Sequence, residues 1–111
     1  MEIKNAAIAL GALSQESRLQ IFRYLVRRGP MGAAAGEIGQ EFGYPGATLS
    51  HHLNTLRQSG LVTQRRDGRS LIYAPDFAQM SALLGFLMDD CCAGQCSPAA
   101  TIHVNDIRRQ P

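Results

Sequence analysis

Residues 47–73 read ATLSHHLNTLRQSGLVTQRRDGRSLIY, and this stretch decides the fold. Leu49, Leu53 and Leu56 recur at i, i+4 and i+7, so residues 47–59 are expected to form a helix with its leucines on one face. At about 100° per residue, Ala47, His51, Asn54 and Gln58 stand opposite, flanked by Thr48, Ser50 and Thr55. That face is polar yet carries no carboxylate. A merely solvated helix face usually bears Glu and Lys. Short polar groups suit a helix lying in a major groove, where they bond base edges and phosphates. His52 falls at the edge of the leucine stripe and reads as a packed structural histidine. Gly60 stops the helix. Residues 61–73 then hold two β-prone runs around Asp67-Gly68, a two-residue hairpin signal.

The hairpin carries charge. Arg57, Arg65, Arg66 and Arg69 against Asp67 give +3 over residues 47–73, whereas residues 74–106 hold four aspartates and no Lys or Arg. The overall charge of +2, from eleven basic and nine acidic residues, therefore averages a basic half and an acidic half. Guanidinium forks suit phosphates and narrow minor grooves. Directly behind a candidate recognition helix, Arg65, Arg66 and Arg69 read as a DNA-contacting wing. If each touches a phosphate, each Arg→Ala change flattens the salt dependence of binding by about one unit of slope.

Upstream, Ile38, Gly39, Phe42, Gly43 and Leu49 fall at the offsets of a helix-turn-helix. A small residue at 39 lets two helices cross closely, glycine at 43 permits a positive φ, and Leu49 packs the second helix on the first. Residues 37–42 are the expected third helix, with Ile38 and Phe42 inward, and residues 43–46 the turn. Ile3, Ala7, Leu10 and Leu13 give a short apolar-striped first helix. Ser14 is the expected N-cap of a second, with Glu16 in its first turn and Leu19, Phe22, Leu25 and Val26 buried. Gly29-Pro30 ends it, and residues 31–36 read as a plain connection. A fifth helix is expected from Phe77 to about Cys92. Its run ALLGFLM at 82–88 is apolar almost all round, which implies burial against a second subunit. The fold class is mainly α with a small β-hairpin: a winged helix-turn-helix of five helices plus wing, dimeric. Residues 1–96 form the DNA-binding and dimerisation domain and 97–111 a C-terminal tail.

A chain of 111 residues with 45% hydrophobic and 18% charged residues builds one core and is not of disordered composition. It lacks the roughly 18 to 20 consecutive apolar residues that span a bilayer, so no membrane partner is expected. Residues 1–14 faintly resemble a signal peptide, but Glu2 spoils the basic start. All three cysteines lie between 91 and 96, unlike the spread, even-numbered set of a secreted disulfide scaffold. A cytoplasmic protein with reduced thiols is expected. With no second catalytic constellation and no Cys-x-x-Cys pattern, an enzyme is not.

Residues 9–96 resemble the ArsR/SmtB family of metal-responsive winged-helix repressors. The motifs that carry this are ALSQESRLQIFRYL (12–25), TLSHHLNTLRQSGLV (48–62) and RRDGRSLIY (65–73). The resemblance implies a homodimer on double-stranded operator DNA, joined through its first and last helices. It also implies a recognition helix starting near Pro45, with residues such as Ser50 and His51 near the bases. Thr48, Ser50, His51, Asn54, Arg65, Arg66 and Arg69 are the expected DNA-binding residues.

Cys91, Cys92 and Cys96 follow Asp89 and Asp90 at the end of the last helix. Cys92 is about 100° round from Cys91, and Gly94 would let Cys96 fold back. Three soft thiolates suit one soft ion, and trivalent arsenic or antimony prefers three-coordinate pyramidal geometry. Tetrahedral zinc would need a fourth donor, for which His103 is the nearest histidine. Arsenical-responsive members of the family carry a similar Cys-Cys followed by a third cysteine, with a longer gap than here. The Cys-x-Cys pair of other members is absent at Ala33-Ala34-Ala35-Gly36, and so is their Asp/His zinc pattern. The expected inducer is trivalent arsenic or antimony, with no cofactor required. A thiol-redox switch on the same cysteines competes with it, since Cys96 could form a disulfide with either neighbour. A small thiol metal carrier is a more distant third reading.

Overall fold

A computed structural model describes residues 1–89. The elements run α1 (Ile3–Leu13), α2 (Glu16–Arg28), β1 (Ala33–Ala34), α3 (Ala35–Phe42), α4 (Gly46–Gln58), β2 (Val62–Asp67), β3 (Ser70–Pro75) and α5 (Phe77–Leu87). Among the described residues five helices and a hairpin are present, as the sequence pattern requires, but α5 ends at Leu87 with Met88 as its C-cap, short of the expected end near Cys92. β1 is the addition: it pairs antiparallel with β3, giving a three-stranded sheet in the order β1-β3-β2.

α1 turns an unexpected face inward. Ala6, Ala9 and Ala12 are buried, while Ile3 is 75% exposed and Leu10 faces out with it. Small side chains let the helix lie close against α2 and α4, and the bulky residues are left outside. Ser14 does not cap α2. Its hydroxyl donates to the Gly11 carbonyl at 2.7 Å, closing α1, and the Gln15 side chain caps α2 by accepting from the Arg18 N–H at 2.9 Å. The Arg18 Nε donates to the Ala12 carbonyl at 2.8 Å and ties the two helices together. In α2, Phe22 and Leu25 are buried as expected and Val26 is half-buried, but Leu19 is 41% exposed. Ile21 takes the inward position instead. With Ile38, Leu53, Leu56 and Leu61, Ile21 and Leu25 form the fully buried centre of the core.

β1 replaces the expected plain connection. Gly29 ends α2 at φ +80, and Gly32 follows at φ +71. At Gly32 the backbone passes so close to the Tyr73 carbonyl that any Cβ would collide with it. The pairs Ala33↔Tyr73 and Ala34↔Ile72 follow. α3 begins two residues before the expected start at Glu37. Ala34 has no side-chain acceptor, but Glu37 returns to the Ala34 N–H at 3.1 Å, one half of a capping box. That bond, helped by Arg28 at 2.9 Å, holds the Glu37 carboxyl below its usual range.

The hairpin turn is displaced by one residue. Asp67 pairs with Ser70, so the two-residue turn is Gly68-Arg69 rather than Asp67-Gly68. Gly68, at φ +63, supplies the positive φ that tight hairpin turns need at their first central position. α5 is capped by Asp76, which accepts from the Gln79 N–H at 3.1 Å. Leu83 is its buried anchor, while Leu84 and Leu87 are exposed. No helix among the described residues is long and apolar enough to cross a membrane.

Candidate nucleic-acid interface

α3, the turn and α4 form the expected helix-turn-helix. Gly43 closes α3 in the left-handed region, its N–H donating to the Gly39 carbonyl at 2.7 Å. A Cβ added at Gly39 would sit 3.3 Å from Leu49 Cδ2, so the two helices do cross closely there. Pro45 occupies the N-cap position of α4. Leu49, Leu53 and Leu56 are buried, which fixes the rotation of α4 and sends the opposite face outward.

A string of aromatic rings also sets that rotation, and sequence periodicity gave no sign of it. Phe42 meets Tyr24 edge-on at 5.6 Å and stacks on Tyr44 at 5.6 Å, and Tyr44 meets His52 edge-on at 5.8 Å. The Tyr44 hydroxyl donates to Gln20 Oε1 at 3.3 Å. His52 is 7% exposed and its Nδ1 has no hydrogen-bond partner. Burial, aided by Arg18 and His51, lowers its pKa below the ordinary histidine value. It is therefore a structural residue, as expected, and faces the core side of α4.

Thr48, Ser50, His51 and Asn54 are all exposed on α4. Arg57, which was counted only for its charge, belongs with them: its Nη2 donates to Asn54 Oδ1 at 3.0 Å. The i, i+3 spacing from Asn54 was the available signal. The wing leaves the end of α4 through Gly60-Leu61. Arg65, Arg66 and Arg69 are exposed on it, but they are not equivalent. Successive residues of a strand face opposite ways. Arg66 stands opposite Leu71, on the face shared by Gln64 and Tyr73; Arg65 stands opposite Ile72, on the other face. The Arg65 side chain crosses β3 and donates from Nη2 to the Met31 carbonyl at 2.9 Å, just ahead of β1. Arg69, in the turn, borders a shallow recess of about 300 Å³ with Ala34, Ala35 and Gly36. Cys91, Cys92 and Cys96 lie outside the described residues, as does the 97–111 tail. Among the described residues no group of three or more His, Cys, Asp or Glu side chains could hold a metal ion.

Residues 13–65 match the model of a helix-turn-helix domain family, HTH_20. The chain is 42% identical over 59 residues to the uncharacterized HTH-type transcriptional regulator YceK of Bacillus subtilis, covering 53% of this chain and 58% of that one. It is 30% identical over 89 residues to the HTH-type transcriptional regulator YgaV of Escherichia coli, covering 80% and 88%. It spans less than two thirds of the length of the first curated relatives it matches, 58% for YceK and 63% for a Mycobacterium tuberculosis regulator. Among solved structures, a Mycobacterium bovis domain superposes with a TM-score of 0.63 at 28% identity, over 85% of this chain and 87% of that one. It is described as a homodimeric winged helix-turn-helix DNA-binding domain of a possible ArsR-family regulator. The transcriptional repressor BigR of Xylella fastidiosa superposes with a TM-score of 0.61 at 31% identity, over 80% and 88%. These relatives are transcriptional regulators, not enzymes. With the helix-turn-helix, the hairpin wing and this likeness over most of its length, the chain belongs to the ArsR-family winged helix-turn-helix transcriptional regulators.

Proposed function

We propose that this protein is a metalloid-responsive transcriptional repressor of the cytoplasm. It binds double-stranded operator DNA as a homodimer and leaves it when trivalent arsenic or antimony binds Cys91, Cys92 and Cys96. The observation that carries the DNA half is the carboxylate-free exposed face of α4 with an arginine hairpin directly behind it. Thr48, Ser50, His51 and Asn54 would meet base edges and phosphates in the major groove, and the wing arginines the flanking backbone. The repressor BigR and the homodimeric M. bovis domain support this reading by likeness. So do the exposed Ile3, Ile8 and Leu10 of α1 and Leu84 and Leu87 of α5, an apolar surface that a second copy would shield from water.

The sensor half rests on the sequence. Three thiolates within six residues offer a pyramidal S₃ set for a trivalent metalloid. Release requires the ligand to bind the DNA-free conformation better than the DNA-bound one, and a hundredfold release needs about 2.7 kcal/mol of such preference. Drawing together thiolates that follow α5 in sequence would rotate the subunits and spoil the half-site spacing. A disulfide from Cys96 to Cys91 or Cys92 is the second reading, favoured by their closeness in sequence. A mobility-shift assay on a duplex selected from a random pool separates the two. Release by arsenite under reducing conditions supports the metalloid switch, and release by peroxide alone refutes it.

A further inference from the structure

We infer that the groove between α2 and α5 binds a single-chain fatty carboxylate of about ten carbons, its tail along the leucines and its head between Arg23 and Arg27. The groove holds about 710 Å³, within the range of small-molecule sites. Leu19, Phe22 and Val26 of α2 form one wall, and Met80, Leu83 and Leu84 of α5 the other. Leu13 and Leu61 complete the apolar lining, in which Arg23 and Arg27 are the only polar side chains among the described residues. Counted from Leu19, the α2 positions fall at i, i+3, i+4, i+7 and i+8, so the apolar side chains and both arginines share one stripe of the helix. Leu19, which the sequence pattern assigns to the core, stands 41% exposed in this groove, with Leu84 39% exposed on the other wall.

Charge selects the occupant. Arg23 and Arg27 are exposed and four residues apart, a spacing at which like charges on a helix repel. No Asp or Glu is among the described lining residues, and the one ion pair among the described residues is Arg28 with Glu37. A carboxylate between the two guanidinium groups removes that repulsion and accepts charge-assisted hydrogen bonds from both. An apolar lining with one cationic pole fits a long apolar body with one anionic end. A sugar or nucleotide would lose its hydration to leucine side chains without gaining partners. From Leu19 to Arg27 the helix rises about 12 Å, the length of an extended acyl chain of about ten carbons. Leu61 lies between α4 and β2, and its carbonyl accepts from the Asp76 N–H at 2.8 Å, where α5 begins. An occupant of the groove therefore touches the joint of α4, the wing and α5.

Calorimetric titration of the full chain with decanoate, at low salt and below its micelle concentration, tests this. Saturable binding of one decanoate per chain is expected. Arg23→Ala/Arg27→Ala should weaken it about tenfold and Leu19→Ser about fivefold. Decyltrimethylammonium, the same tail with a cationic head, should bind at least about tenfold more weakly than decanoate. No saturable binding, unaltered binding by both variants, or equal binding of the cation overturns the site. Leu84 also belongs to the apolar surface of α1 and α5, so sedimentation velocity accompanies the titration. Decanoate that dissociates a dimer in step with its binding would give the groove to a second copy and overturn the proposal as well. Thermal unfolding of the variants, whose changes are all at exposed positions, checks that folding is intact. The comparison with the cation uses the unaltered chain, so it decides the matter even where a variant is destabilised.

Discussion

Replacing Arg66 or Arg69 with alanine should flatten the salt dependence of DNA binding, and replacing Arg65 should not. The side chains of Arg66 and Arg69 make no hydrogen bond to the protein among the described residues, so their guanidinium groups are available to phosphates. Arg65 lies on the opposite face of β2, and its Nη2 is held by the Met31 carbonyl at 2.9 Å. Each phosphate contact releases about 0.9 of a counterion, and a homodimer loses two contacts per substitution. The plot of log K against log salt should therefore become shallower by about 1.8 for Arg66→Ala or Arg69→Ala, close to the expected one unit for each of the two copies. From about 50 to 200 mM salt, that slope difference spares the variant roughly a twelvefold loss of affinity relative to wild type. Arg65→Ala should change the slope by less than about 0.5. It should instead lower stability by about 0.5 kcal/mol, since the lost bond is exposed. Fluorescence anisotropy of a labelled duplex across that salt range, with urea unfolding alongside, reads both quantities. An Arg65→Ala slope as shallow as that of Arg66→Ala would refute the division of labour, and three unchanged slopes would refute the wing contact altogether.

Leu56, fully buried on the inner face of α4, should cost about 2–5 kcal/mol when cut to alanine, seen as a lower urea midpoint with unchanged m. Gly32→Ala should destabilise by about 1–3 kcal/mol, because φ is +71 and the Tyr73 carbonyl blocks a Cβ; unfolding midpoints near wild type would contradict the close approach. His52 has its pKa lowered from 6.5 by burial, so the unfolded chain binds the proton more readily. Its contribution to stability is complete above about pH 6.5 and is lost as pH falls through the folded value. A pH series of urea unfolding should show this decline, and His52→Leu should flatten it; an identical acid slope in the variant would remove His52 as the cause.

α4 and the hairpin were legible because their signals are local: leucines at helical spacing, then glycine between two β-prone runs. The inner face of α1 was not. Alanine carries little hydrophobic signal, so Ile3 and Leu10 outweighed Ala6, Ala9 and Ala12, although small residues are what close packing on α2 and α4 selects. β1 is only two residues of alanine, a type with weak strand preference, and its pairing is fixed by Gly32 and by β3 nearly forty residues away. The turn moved by one residue because the ladder extends to Asp67 and leaves the glycine at the first turn position. The aromatic string from Tyr24 to His52 joins three elements and has no periodic signature. Of the candidate DNA-binding residues, exposure on α4 followed from the leucine stripe. The opposition of Arg65 and Arg66 was also readable, from strand alternation alone; the Met31 tie was not, since it joins residues 34 apart.

The coupling of thiols to DNA release is tested most directly by titrating the DNA-bound protein with arsenite under reducing conditions. Duplex anisotropy and the number of free thiols would be followed together. DNA should leave in step with the loss of three reactive thiols per chain, at one arsenic per chain, and a Cys91→Ser/Cys92→Ser/Cys96→Ser variant should stay bound throughout. Thiols that become occupied while the DNA remains bound, or DNA released equally from the triple variant, would contradict it.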